Sequence, residues 1–306
     1  MKTAEVILEN IANLGEGPVW DGENAVLYFV DINGCKLLAY DYKNNKNNKS
    51  NKCRETAAPG RISTSLLCET PGKLICTIEN NFYIFDTKTR LFTPFIENIF
   101  EPDGGNIRFN DGKCDTRGRL YAGTMDSGRT SRGKLYKVDN VDKVDNTDNI
   151  KNIEVCEENI STSNGLVFTD KYFYYIDTPS GFLWRYDYDI KTGNIENKTA
   201  FIDYREEQGG FDGMTIDTDG NLWVASWGGF SVTKYGASDG RKLDVIKLPV
   251  PNVTSCEFGG DNMNILFITT AGGADENLKK DYPLAGSLFA VETDGEKGFE
   301  CNKFKL

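Results

Sequence analysis

The chain has 306 residues, of which 39% are hydrophobic, 12% aromatic and 26% charged, an ordinary globular mix able to bury a large core without staples. Its 35 Lys and Arg face 46 Asp and Glu, a formal net charge of −11 that excludes the basic footprint of a nucleic-acid or anionic-membrane binder. Histidine is absent, so a Ser-His-Asp or Cys-His catalytic site and an imidazole zinc site are impossible. Acid–base chemistry must come from carboxylates, Lys, Tyr, Cys or metal-bound water.

At the N-terminus Glu5 and Glu9 fall where a signal peptide needs an unbroken apolar segment. The 8 cysteines are scattered without a CxxC pair, and they read as reduced, mostly buried thiols of a cytoplasmic protein. No stretch reaches the roughly 20 apolar residues of a membrane span.

In chain order, six segments share one pattern of a small or polar residue, an apolar run, a polar turn and a strand. They begin at Gly17 (GPVWDGENAVLYFVD), Ser65, Gly112, Gly165 (GLVFTDKYFYYIDT), Gly213 (GMTIDTDGNLWVAS) and Cys256. The spacings of 43 to 53 residues suit propeller blades, and no segment holds a long 3.6-residue apolar period. The expected fold is all-β: a single six-bladed β-propeller over residues 1–306, with four-stranded antiparallel blades around a central channel. The segment EVIL near the start is expected to join the last blade and close the ring. Two polar tracts, Lys43–Lys52 and Asp139–Asn152, break the rhythm and read as solvated hairpin extensions. DTDGN around Asp217 resembles the start of an EF-hand loop but lacks the downstream ligands, which leaves a β-turn.

In a propeller, side chains at the start of each inner strand converge on the channel. Glu16, Asp111, Asn164 and Asp212 each precede a blade-anchor glycine. Any one of them alone would be a turn former. Four at matching repeat positions point to an oxygen-rich central site, which suits a divalent cation and leaves positions open for water and substrate. Of the tryptophans Trp20, Trp223 and Trp227, the first two are expected between blades and Trp227 in a pocket wall. Arg61 is a further channel candidate.

LGEGPVWD, RFNDGKCDTRGRLYAGTMD, SNGLVF and FDGMTID, in that order, resemble the signature segments of the regucalcin (senescence marker protein), gluconolactonase and luciferin-regenerating enzyme family. The resemblance runs from about Glu16 to the last anchor. It implies metal-dependent hydrolysis of a sugar lactone, with one divalent ion (Ca²⁺, Zn²⁺, Mg²⁺ or Mn²⁺) on Glu16, Asn164 and Asp212. It further implies Arg108 and Asn110 as the substrate-contacting pair and Asp212 as the acid–base residue. Asp111 is then a turn or supporting residue. The segment Asp126–Gly133 departs from the pattern: Gly128 stands where regucalcin-like members carry a sugar-binding glutamate, with Asp126 the nearest acid. Rival readings are a non-enzymatic calcium-binding or regulatory propeller, a propeller serving only as an interaction platform, and a hydrolase of another ester or phosphoester.

Overall fold

The computed structural model describes residues 3–48, 53–128, 130–140, 151–273 and 276–306. Six four-stranded antiparallel sheets form a ring, each sheet one blade of a β-propeller. The innermost strands are Gly15–Asp21 (blade 1), Ile62–Leu67 (blade 2), Ile107–Cys114 (blade 3), Ser163–Phe168 (blade 4), Gly210–Ile216 (blade 5) and Val253–Gly259 (blade 6). Each touches the next around a central channel, and each carries one of the six sequence anchors.

Blade 6 is completed by the N-terminal strand Glu5–Leu8, which pairs antiparallel with Leu288–Glu292. This is the expected clasp. The core lies between blades, where apolar residues from neighbouring sheets interdigitate. Trp20 stacks on Phe267 at 5.6 Å between blades 1 and 6, and Trp223 meets Phe258 edge-on at 5.6 Å between blades 5 and 6. Both are buried, whereas Trp227 is 41% exposed.

The first polar tract is not a plain hairpin. Asp41 accepts the Asn44 backbone N–H at 3.0 Å, an N-cap that starts a short helix, Tyr42–Asn48. Residues 49–52 lie outside the described residues. The base of the second tract is a hairpin, with Asp139 opposite Asn152, and residues 141–150 again lie outside the described residues. Around Asp217 the chain makes a turn, its carboxylate accepting from the Asp219 and Asn221 backbone N–H groups. All 8 cysteines are free thiols. Among the described residues no helix is long and apolar enough to cross a membrane.

One feature positions the mouth of the channel. Every innermost strand breaks register with its partner at the same stage: after Glu16, Ile62, Phe109, Asn164, Phe211 and Val253. Bulges re-aim side chains, and six of them at one level give the channel a distinct upper mouth.

Candidate functional site

The turn that ends an inner strand fixes its register. Asp115, Thr169 and Asp217 each accept the N–H two residues on (Arg117, Lys171, Asp219), and Asp21 plays the same part toward Asn24. Five residues back from these four stand Asn110, Asn164, Asp212 and Glu16. Blade 3 therefore presents Asn110 at the repeat position, and the expected equivalence of Asp111 is corrected. Asp111 instead occupies the next position, where the other three blades have Gly17, Gly165 and Gly213. Glycine is needed there because inner strands nearly touch: a Cβ on Gly165, whose φ is +28°, would meet the Asp212 carbonyl oxygen at 2.7 Å.

Glu16, Arg108, Asn110, Asn164 and Asp212 gather at the upper mouth, and all are buried. Asn110 holds the group together. Its Nδ2 donates to Asn164 Oδ1 at 2.8 Å and to the Ser163 carbonyl at 2.7 Å, and its Oδ1 accepts from Arg108 at 2.8 Å. Asn164 Nδ2 donates to Thr178 Oγ1 at 2.8 Å, and Thr178 Oγ1 donates to the Phe211 carbonyl at 2.7 Å, next to Asp212. Thr178 carries no sequence signal for this bridging part, because it lies in a short 3₁₀ turn outside the repeat anchors.

The electrostatics are those of clustered acids. Burial, then repulsion from Asp111, pushes Glu16 up to about 8, although the Gly17 N–H and Arg108 oppose the rise. Burial and repulsion from Glu16 and Asp111 push Asp212 well above the usual carboxylate range. Asp111 rises to about 6, chiefly through burial. Burial and the neighbouring Arg61 lower Arg108 to about 10. Asp212 Oδ1 is buried without a hydrogen-bond partner. An orphaned buried oxygen beside a second buried acid is costly, and a cation would relieve both terms. Among the described residues no three His, Cys, Asp or Glu side chains form a metal-sized cluster. Glu16, Asn164 and Asp212 supply hard-oxygen donors of the kind divalent cations take. The residues present fit such an ion.

The remaining candidates are committed elsewhere. Arg61 forms a two-pronged ion pair with Glu79, 2.8 Å at its shortest, and donates to the Gly105 carbonyl at 3.2 Å. Asp126 accepts from the Gly128 N–H, Thr130 and Arg132, and Arg132 extends to Asp103 at 2.7 Å. Its carboxylate therefore pins the Asp126–Gly133 loop and has little capacity left for a sugar. Trp227 ends the second strand of blade 5, opposite Gly210 and level with the mouth.

Fold and site together describe a six-bladed propeller with an acidic, cation-suited mouth. Residues 14–272 match the SMP-30/gluconolactonase/LRE-like region, and the chain belongs to that family. It is 35% identical over 289 residues to YvrE of Bacillus subtilis, a protein whose name places it with the sugar lactone lactonases; the match covers 92% of each chain. It is 32% identical to regucalcin of Gallus gallus, covering 93% of this chain and 92% of that one. Among solved structures, a luciferin-regenerating enzyme superposes with a TM-score of 0.84 at 31% identity over all of both chains. A regucalcin of Agrobacterium tumefaciens, described as a calcium-binding protein, gives 0.86 at 25% identity, covering 100% of this chain and 98% of that one.

Proposed function

We propose that this protein hydrolyses a sugar lactone at the upper mouth, with one divalent cation held by Glu16, Asn164 and Asp212. The observation that carries the reading is the buried, partnerless Asp212 Oδ1 beside Glu16. Membership of a family that includes gluconolactonases supports the substrate class. A cation bound there would polarise the lactone carbonyl and acidify a water molecule.

The chain's own residues do the rest. Asp212 accepts the proton of the attacking water, since the chain has no histidine to do so. Asn110 fixes the Asn164 amide, whose oxygen would join the cation, and holds Arg108 in place. Arg108 spends one of its nitrogens on the Phe109 carbonyl and Asn110, and the rest of its fork is left for ring and hydroxyl oxygens of the sugar. Free thiols throughout suit a reducing, cytoplasmic compartment.

The test is turnover of a panel of aldonolactones, simple esters and phosphoesters, before and after chelation. Lactone hydrolysis that stops with chelator and returns with Ca²⁺, Zn²⁺, Mg²⁺ or Mn²⁺ is expected. Cation binding without any turnover would favour a calcium-binding protein, and preference for esters or phosphoesters would move the substrate class.

A further inference from the structure

We infer that the opposite end of the channel holds a second ligand site, built for a small organic cation with an apolar body. Below the mouth, alternate residues of the inner strands face down the channel. Lys113 Nζ meets Glu257 Oε2 at 2.5 Å, and Thr215 Oγ1 donates to Glu257 Oε1 at 2.7 Å. Burial opposes the Lys113 charge, but the Glu257 carboxylate more than compensates and raises the ammonium above its ordinary range. These three side chains form a layer across the channel. On the upper side lies a small cavity of about 20 Å³ between Asp111, Thr64 and Ser255.

On the lower side a cavity of about 630 Å³ opens, within the size range of small-molecule sites. Phe299–Asn302, within the segment Gly298–Phe304, forms its outer wall. That segment is strapped across the lower face: the Gly298 N–H donates to the Met263 carbonyl at 2.9 Å, Asn302 Nδ2 to the Cys114 carbonyl at 3.0 Å, and Phe304 bridges Cys68.

The lining states what the cavity takes. Its walls include Val167, Phe168, Ile216 and Phe299, and Phe299 remains 54% exposed on the rim. Lys113 is the sole cation in the lining and is already neutralised by Glu257. Asp170, Asp219 and Glu300 stand at the opening, exposed, with carboxylates that no hydrogen bond or salt bridge engages among the described residues. An apolar wall, a neutralised floor and three free carboxylates in a chain of net charge −11 favour an alkyl or aryl amine over a neutral sugar or an anion. The ammonium sits at the rim carboxylates and the body lies against Phe299, whose exposed face also attracts cations, with Ile216 and the edge of Phe168, itself stacked on Phe173, behind it. The Lys113–Glu257–Thr215 layer separates this site from Glu16, Asn164 and Asp212.

Calorimetric titration with 2-(1-naphthyl)ethylammonium, and with 1-naphthalenesulfonate as an anion of similar body, tests the assignment. The cation is expected to bind at least about tenfold tighter than the anion at low salt, and to weaken as salt screens the rim. The combined variant Asp170→Asn, Asp219→Asn, Glu300→Gln is expected to lose at least about fivefold in cation affinity with lactone turnover unchanged. Phe299→Ala is expected to weaken both probes. Equal affinity for the two probes, no cation binding at millimolar concentration, or full affinity in the combined variant would overturn the assignment. So would cation binding that is lost in Glu16→Gln, which would place the probe at the upper mouth instead.

Discussion

Replacing Asp212 with Asn should separate cation binding from folding. At a concentration about 100 times its dissociation constant, a ligand of the native state adds about 2.7 kcal/mol of stability. For 306 residues the unfolding entropy near the midpoint is about 0.6 kcal/mol/K, so the wild type should melt about 4 °C higher with its cation than in chelator. Asp212→Asn keeps the shape and an oxygen but removes one of the two carboxylates. The attraction between unit charges about 4 Å apart is about 4 kcal/mol at an effective dielectric near 20. A hundredfold loss of affinity is therefore a modest expectation. At the same cation concentration the remaining stabilisation is about 0.4 kcal/mol, a shift below about 1 °C. In chelator the order should reverse: the amide relieves repulsion with Glu16, and the variant should melt at or above the wild type. Differential scanning fluorimetry with Ca²⁺, Zn²⁺, Mg²⁺ and Mn²⁺ reads both quantities. A useful control is Asp31→Asn, a buried acid of blade 1 whose oxygens accept from the Asn13, Leu14 and Gly34 N–H groups. It should lower the melting point without changing the cation shift. A full shift in Asp212→Asn, or none in the wild type with any of the four cations, would refute the ligand assignment.

Asn110→Ala should weaken both lactone turnover and cation affinity, because Asn110 braces the Asn164 amide oxygen as well as Arg108; unchanged cation affinity would leave it a substrate contact only. Arg119→Met should cost about 3 kcal/mol in urea unfolding, since it removes the counter-charge that Arg119 Nε brings to the fully buried Asp115 carboxylate at 2.6 Å and leaves it the Tyr188 hydroxyl and backbone N–H groups alone. Glu79 is pulled below its ordinary 4.5 by bonds from Arg61 that outweigh its burial. A lowered acid stabilises above its unfolded pKa and loses that contribution as pH falls. Stability should drop below about pH 4.5, and Glu79→Gln should flatten that limb of the curve.

The ring could be read from six apolar segments at near-constant spacing, because each blade repeats the same turn and inner-strand chemistry. The site was only partly legible. Glu16, Asn164 and Asp212 precede glycines that close strand packing demands, so the glycines flag them. The same rule misled at Asp111, since blade 3 carries its glycine one position later, and the count of five residues back from the Asp115 turn makes Asn110 the counterpart. Asp126 looked like a spare acid in sequence, yet Arg132 and Thr130 reach it through a folded loop. The lower cavity leaves no motif at all. It arises from the inner strands of blades 3 to 6 meeting a segment that lies beyond the last strand of the ring, a juxtaposition that no local pattern encodes.

The clasp between Glu5–Leu8 and Leu288–Glu292 also has a temporal side. Glu5 finds Ala290 only after 285 further residues exist, so a nascent chain carries an open-ended stack of sheets for most of its synthesis. Until then the first and last blades expose unpaired edges, the kind that seed mispairing between chains. Glu16 belongs to blade 1, whose neighbour across the gap is blade 6, while Asn164 and Asp212 come from blades 4 and 5. The acidic mouth is thus assembled by the last step of ring closure, and a chain halted before that step lacks the proposed cation site and the stability a bound ion would add.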